Sequence, residues 1–231
     1  TGQASCDDAD AGYYVDSTGQ SSQTACAAGT YNVNTGSISS DDCLDADAGY
    51  YVPTTGQSSQ TACAAGTYQS DTGRSYCDTA SAGYYVELTG QTSETPCVVG
   101  TYQPNTGQDS CLDADAGYYV DTAAKSTQTP CAVGTYQPNT GQTSCVNANA
   151  GYFVDSTAST TQTACAVGTF QEHTGQASCD VADAGYYVDT TGSDTQTECA
   201  AGTYQPDTGQ TSCDDTDAGH YTDSTAQSSQ K

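Results

Sequence analysis

Residues 9–31 read ADAGYYVDSTGQSSQTACAAGTY, a stretch that almost repeats itself, opening on A-D-A-G-Y-Y and closing on C-A-A-G-T-Y. Its reading decides the fold, because Cys26 stands where the equivalent earlier place holds Ala9. The marker Gly-x-(Tyr/Phe) recurs at Gly12, Gly29, Gly49, Gly66, Gly83, Gly100, Gly117, Gly134, Gly151, Gly168, Gly185, Gly202 and Gly219. The step is 17 residues, broken once by a three-residue insertion between Gly29 and Gly49. Self-similarity at a fixed period marks a repeat architecture. Residues 1–231 therefore read as a tandem array of thirteen 17-residue units.

Comparing the repeats with one another separates fixed columns from alternating ones. Three residues before each marker glycine the chain alternates between a small residue and cysteine, as in Ala9, Cys26, Ala46, Cys63, Ala80 and Cys97. A second column, fourteen residues further on (seventeen across the insertion), alternates in step: Gln23, Cys43, Gln60, Cys77, Glu94, Cys111. Cysteines that appear and vanish together are most simply partners. This predicts disulfides Cys26 with Cys43, Cys63 with Cys77, Cys97 with Cys111, Cys131 with Cys145, Cys165 with Cys179 and Cys199 with Cys213. Cysteine arithmetic also permits the other register, Cys6 with Cys26 and onward, leaving Cys213 unpaired. The lockstep replacement favours the first, with the partner of Cys6 open and Ala9 opposite Gln23 as a disulfide-free version of the hairpin. The architecture is then a 34-residue double repeat, alternately disulfide-free and disulfide-containing.

Composition argues for staples. Hydrophobic residues make up 35% of the chain, with no Trp or Met and two Phe, and a 17-residue unit cannot stabilise itself by apolar burial alone. A bridge closing a loop of about 15 residues contributes on the order of 3 kcal/mol in the chain-entropy model. Repeats without a bridge carry Tyr after the marker glycine (Tyr13, Tyr50, Tyr84) where bridged ones carry Thr (Thr30, Thr67, Thr101), and Val52 or Val86 where bridged ones carry Gln69 or Gln103. The extra Tyr and Val are expected to replace covalent closure by packing.

Regular cysteines without a Cys–His cluster point to an oxidising, extracellular or cell-surface compartment. A formal net charge of −25, from 28 acidic and 3 basic residues, repels nucleic acid and anionic membranes. No apolar run approaches the roughly 20 residues that span a bilayer, so no membrane insertion is expected within this segment. With no initiator Met or signal peptide, and with Cys6 in a second-column position, the chain reads as a window of a longer repeat protein.

Within a unit, G-T-Y-Q and Q-T-S-C are β-prone pieces flanking P-N-T-G, as at residues 104–107, whose Pro, Asn and Gly favour tight turns. Gly, Thr and Asx interrupt every window and no 3.6-residue periodicity appears. The fold class is small disulfide-rich β-hairpin repeats in an elongated linear rod or solenoid, with little or no helix and each unit touching only its neighbours. The marker glycine is expected to let the aromatic of an adjacent unit approach the backbone, and the Tyr/Phe column to form a ladder.

The pattern C-x-x-G-T-Y-x-x-x-T-G-x-x-x-C resembles the ephrin-receptor-like cysteine-rich tandem repeat, akin to growth-factor-receptor cysteine-rich modules. The resemblance covers essentially the whole array and implies an extended extracellular role, as in surface proteins and flagellar-hair (mastigoneme) components. This sequence departs from the C-x-x-C junctions of that family by keeping one cysteine at each, as in Cys77-Asp-Thr-Ala80 and Glu94-Thr-Pro-Cys97. No catalytic or binding residue carries over.

Other features have plain readings beside sharp ones. D-A-D-A-G at 45–49 and 113–117 resembles the start of a calcium loop, but lacks the distal Glu and becomes T-A-S-A-G at 79–83, so a polar turn is favoured. CxxC is absent, and His173 and His220 read as tolerated variants, so no metal or cofactor is predicted. N-x-[ST] is absent, which removes N-glycosylation. Regular hydroxyls at Thr18, Thr35, Thr55, Thr72, Thr89, Thr106, Thr140, Thr157, Thr174, Thr191, Thr208 and Thr225 offer O-glycan sites. An ice-binding face is disfavoured, since one such Thr per 17 residues is sparse. Nothing resembles a catalytic constellation, because every feature is copied along the chain. The sequence thus reads as a non-enzymatic structural component of an extracellular filament or appendage, self-associating and open to O-glycosylation. The alternative is the stalk of an adhesin or receptor.

Overall fold

The computed structural model of the protein describes residues 6–231. These residues form antiparallel hairpins of two-residue strands, twelve two-stranded sheets in all, from Tyr13–Tyr14 with Thr24–Ala25 to Thr203–Tyr204 with Asp214–Asp215. The only helical turn among the described residues is a 3-10 turn at Ser40–Asp42, which takes up the insertion. Ser39 Oγ accepts the Asp41 N–H there, and the Asp42 carboxylate accepts the N–H groups of Ile38 and Ser39. The chain divides into two compact bodies: the described residues up to Leu112 with Ala123–Thr127, and Asp113–Thr122 with Gln128–Lys231.

The second strand of a bridged hairpin lies just past its cysteine, not on Q-T-S-C. Thr135 pairs with Asn147 and Tyr136 with Val146. The Q-T-S-C stretch serves the adjacent repeat instead, since the Gln142 carbonyl accepts the Val120 N–H at 2.9 Å. The same lattice recurs in the first body, where Gly49 N–H donates to the Gln69 carbonyl and Val52 N–H to that of Arg74. Two-residue strands cannot satisfy a repeat's backbone, so each hairpin completes its hydrogen bonds on the next one.

Contacts also reach beyond the adjacent repeat, which corrects the nearest-neighbour expectation. Gly66 has φ +82°, and a Cβ there would stand 2.8 Å from the carbonyl carbon of Gly107, two repeats on, with the oxygen nearer still. The marker glycine therefore admits a backbone carbonyl rather than an aromatic ring. A ring does approach the second glycine column: the Tyr13 hydroxyl would lie 2.7 Å from a Cβ at Gly56. That column needs the left-handed conformation itself, with Gly107 at φ 71° and its replacements Ala124, Ala158 and Ala226 at 60°, 57° and 57°.

The core is thin and repeats in register. The alternating Ala and Cys column is buried, with Ala46, Cys63, Ala80 and Cys97 all at 0% exposure. Beside it lies the alternating Val and Gln column, also buried at Val52, Gln69, Val86 and Gln103. The Tyr/Phe column sits half-buried in the first strand of each hairpin, as at Tyr68 and Phe153.

Candidate functional site

The repeats close in two chemically distinct ways. In bridged repeats the cysteine columns meet: Cys26 with Cys43, Cys63 with Cys77, Cys97 with Cys111, Cys131 with Cys145, Cys165 with Cys179 and Cys199 with Cys213. Their Cα atoms lie 5.7–5.8 Å apart, an ordinary span for cystine. Cys6 is exposed and unbridged. The Thr that replaces Tyr in these repeats has a local task. Thr67 and Thr135 hydroxyls donate to the carbonyls of Ala64 and Ala132 at 2.7 Å, capping the turn that leads out of the first cysteine.

The buried amide of the bridged repeats is also committed. Gln69 Nε2 donates to the Tyr76 carbonyl and its Oε1 accepts the Asp71 N–H, both at 3.0 Å. One side chain thus satisfies both edges of its own loop, and no buried side-chain nitrogen or oxygen is left without a partner among the described residues. In unbridged repeats Val fills the same place with methyl groups.

Unbridged repeats are closed by a side-chain clasp that packing arguments from the sequence do not reveal. Gln23 Oε1 accepts the Asp10 backbone N–H while its Nε2 donates to the Asp10 carboxylate, each at 2.7 Å. The arrangement recurs at Gln128 with Asp115, Gln196 with Asp183 and Gln230 with Asp217. Valine burial does accompany the missing bridge, but the neighbouring Tyr is only half-buried. The glutamine column supplies the closure, and its signal in the sequence is an acid or amide after Ala (Asp10, Asp47, Asn149) where bridged repeats have Ala or Val (Ala27, Ala64, Val98).

This geometry accounts for D-A-D-A-G: Asp115, its second acid, lies in the clasp with Gln128. No cluster of His, Cys, Asp and Glu able to hold a metal occurs among the described residues. His173 is exposed and lies 3.2 Å from the Glu172 carboxylate, and the His220 N–H closes a turn onto the Asp217 carbonyl. A shallow groove of about 480 Å³ runs past Tyr85, Val98, Thr101 and Asp109, but the Thr101 hydroxyl is already bonded to the Val98 carbonyl at 2.8 Å. Partial burial, aided by the charges of Glu94 and Asp78, raises the Tyr68 phenol above its usual pKa.

The twelve threonines of the Thr column are all exposed, each directly before the residue in the left-handed conformation. None of their hydroxyls is taken up in a hydrogen bond among the described residues. The turn therefore presents them outward in every repeat that has one.

Residues 117–165 match the family described as tyrosine-protein kinase ephrin type A/B receptor-like. That stretch is an ephrin-receptor-like cysteine-rich repeat. The ephrin-receptor-like match takes in the clasp of Gln128 with Asp115 only in part and the Cys131–Cys145 bridge whole, and the same bridged hairpin recurs across the chain. No match to the chain is found among curated proteins. Ephrin-receptor-like repeats are non-catalytic cysteine-rich modules, of a kind found in extracellular or receptor-like ectodomains. Six bridges among the described residues accord with a secreted or surface location. No helix among the described residues is long and apolar enough to cross a membrane.

Proposed function

We propose that the chain is a structural segment of an extracellular filament or cell-surface appendage, built of thirteen repeats whose copies associate side by side or end to end. The observation that carries this reading is repetition of the surface itself. The bridges and the side-chain clasps of the unbridged repeats alternate with a 34-residue period, and the Thr turns recur every 17 residues, so whatever contact one double repeat makes is offered again by the next. A unique polar cluster of the sort catalysis needs has no counterpart in such a surface, and the chain acts without chemistry of its own. The exposed Thr column carries O-linked glycans in this reading, which would sheath the acidic surface and leave the buried columns untouched.

Electron microscopy of the unreduced native material tests the proposal: continuous fibres whose axial repeat matches a double repeat support it. Isolated chains ending in a separate globular head would make the segment the stalk of an adhesin or receptor, the reading that the ephrin-receptor-like match also accommodates. Intact mass before and after β-elimination tests the glycans, and a mass equal to that of the bare chain rejects them.

A further inference from the structure

Among the described residues every bridge closes within one repeat. Cys63 reaches Cys77 and Cys97 reaches Cys111, each 14 residues on, and no bridge among the described residues joins two repeats. Tension applied along a chain passes through a disulfide directly, so the loop between its cysteines bears none of it. The chain thus alternates between loops removed from the path of tension and stretches that carry it whole. From Cys63 to Cys97 the chain advances 34 residues, of which 14 lie inside the Cys63–Cys77 bridge and the other 20 run on to Cys97.

Those 20 load-bearing residues contain a clasped hairpin. It is held by the pairing of Tyr84–Tyr85 with Thr95–Pro96 and by the Glu94 carboxylate, which accepts the Ser81 N–H at 2.6 Å. These bonds are non-covalent, as are those that the Gly83 and Val86 N–H groups donate to the Gln103 and Gln108 carbonyls of the next repeat, so they open under load and re-form when it is removed.

We infer that the array is an extensible tether whose maximum length is set by thiol–disulfide chemistry. Clasped hairpins yield first and reversibly, whereas a bridged hairpin cannot release its loop until its disulfide is cut. At about 3.5 Å per extended residue, 20 residues reach about 70 Å, to which the Cys63–Cys77 Cα separation adds 5.8 Å. With the bridge cut, the same 34 residues reach about 120 Å, about 1.6-fold further. Cutting each bridge takes two electrons and two protons, which a dithiol supplies as it closes to its own disulfide. The inference concerns one isolated chain, so it stands or fails apart from the association proposed above.

Single-molecule stretching of the full 231-residue chain, held by its two ends at constant force, tests it. Without reductant the chain should extend to a fixed limit and return on relaxation. Adding dithiothreitol should then lengthen it in discrete steps, each about 43 Å at full extension for a 14-residue loop and about 54 Å for the Cys26–Cys43 loop. A Cys63→Ser and Cys77→Ser variant should start longer and show one step fewer. Gln60→Ala should lower the force at which the chain first yields without changing the number of steps. An unreduced chain that reaches full contour length overturns the inference. So do steps of about 64 Å, which would place the bridges across repeats, as between Cys43 and Cys63.

Discussion

Gln60 holds Asp47 at two points: its Oε1 accepts the Asp47 backbone N–H at 2.7 Å, and its Nε2 donates to the Asp47 carboxylate at 2.6 Å. Where the acid becomes Ser81, the amide becomes Glu94, whose carboxylate accepts the Ser81 N–H. Two carboxylates at that range would repel each other, so the two positions change together.

Gln60→Glu should therefore weaken its hairpin by about 1 kcal/mol at neutral pH, the scale of one lost hydrogen bond with screened repulsion. Adding Asp47→Ser, which copies the pair at Ser81 and Glu94, should recover most of the loss. Hydrogen exchange at the Asp47 and Cys63 amides reads the effect locally, and a double variant no better than the single one would reject the coupling.

A bridged repeat should be convertible into a clasped one. Replacing Cys63 and Cys77 by Ala removes a constraint of about 3 kcal/mol. The triple change Cys63→Ala, Ala64→Asp and Cys77→Gln supplies the clasp residues in their observed positions and should return about 1 kcal/mol of that. Denaturant unfolding without reductant, followed at the Ala80 amide that bonds to Gly66, compares the two variants. Equal stabilities would mean that the clasp contributes nothing outside its own repeats.

Alanine in the left-handed conformation is strained. Ala158, at φ 57°, should be improved by Ala158→Gly, with a net gain of about 0.5–1 kcal/mol after the added freedom of the unfolded chain is counted. Gly66→Ala should do the reverse and more, since its Cβ would meet the Gly107 carbonyl as well. Melting temperatures of the two variants should move in opposite directions.

The buried glutamine column is predicted to resist exchange with the valine column. Gln69→Val leaves the Asp71 N–H and the Tyr76 carbonyl without the partners they have now, at a cost of about 1–3 kcal/mol. Faster hydrogen exchange at Asp71, with little change two repeats away, is the expected outcome.

The hairpin repeats and their stapling were legible because cysteine columns that rise and fall together leave a mark in a single sequence. The clasp left a fainter mark of the same kind. Asp10 and Gln23 belong to the same repeats, as do Ser81 and Glu94, but hydrogen-bonding side chains admit more substitutions than sulfur does, so the columns look like general polarity. The first strand falls within G-T-Y-Q, but β-propensity also marks Q-T-S-C, whereas the second strand lies on the two residues after it, because the neighbouring repeat's demand for carbonyls decides the conformation of Q-T-S-C. The contact between Gly66 and Gly107 had no sequence mark at all. A glycine column records that something comes close without recording from how far along the chain it comes.

That contact joins repeats of the same kind. Gly29, in a bridged repeat, receives the carbonyl of Gly73, in the next bridged one, and Gly12 receives that of Gly56 across two clasped ones. A gene lengthened by a single 17-residue copy would set bridged repeats against clasped ones from the insertion onward. Unequal crossing-over should therefore be tolerated only in pairs. The identical TGQSSQTACAAGTY at residues 18–31 and 55–68, one double repeat and one small insertion apart, has the size of event that this parity permits.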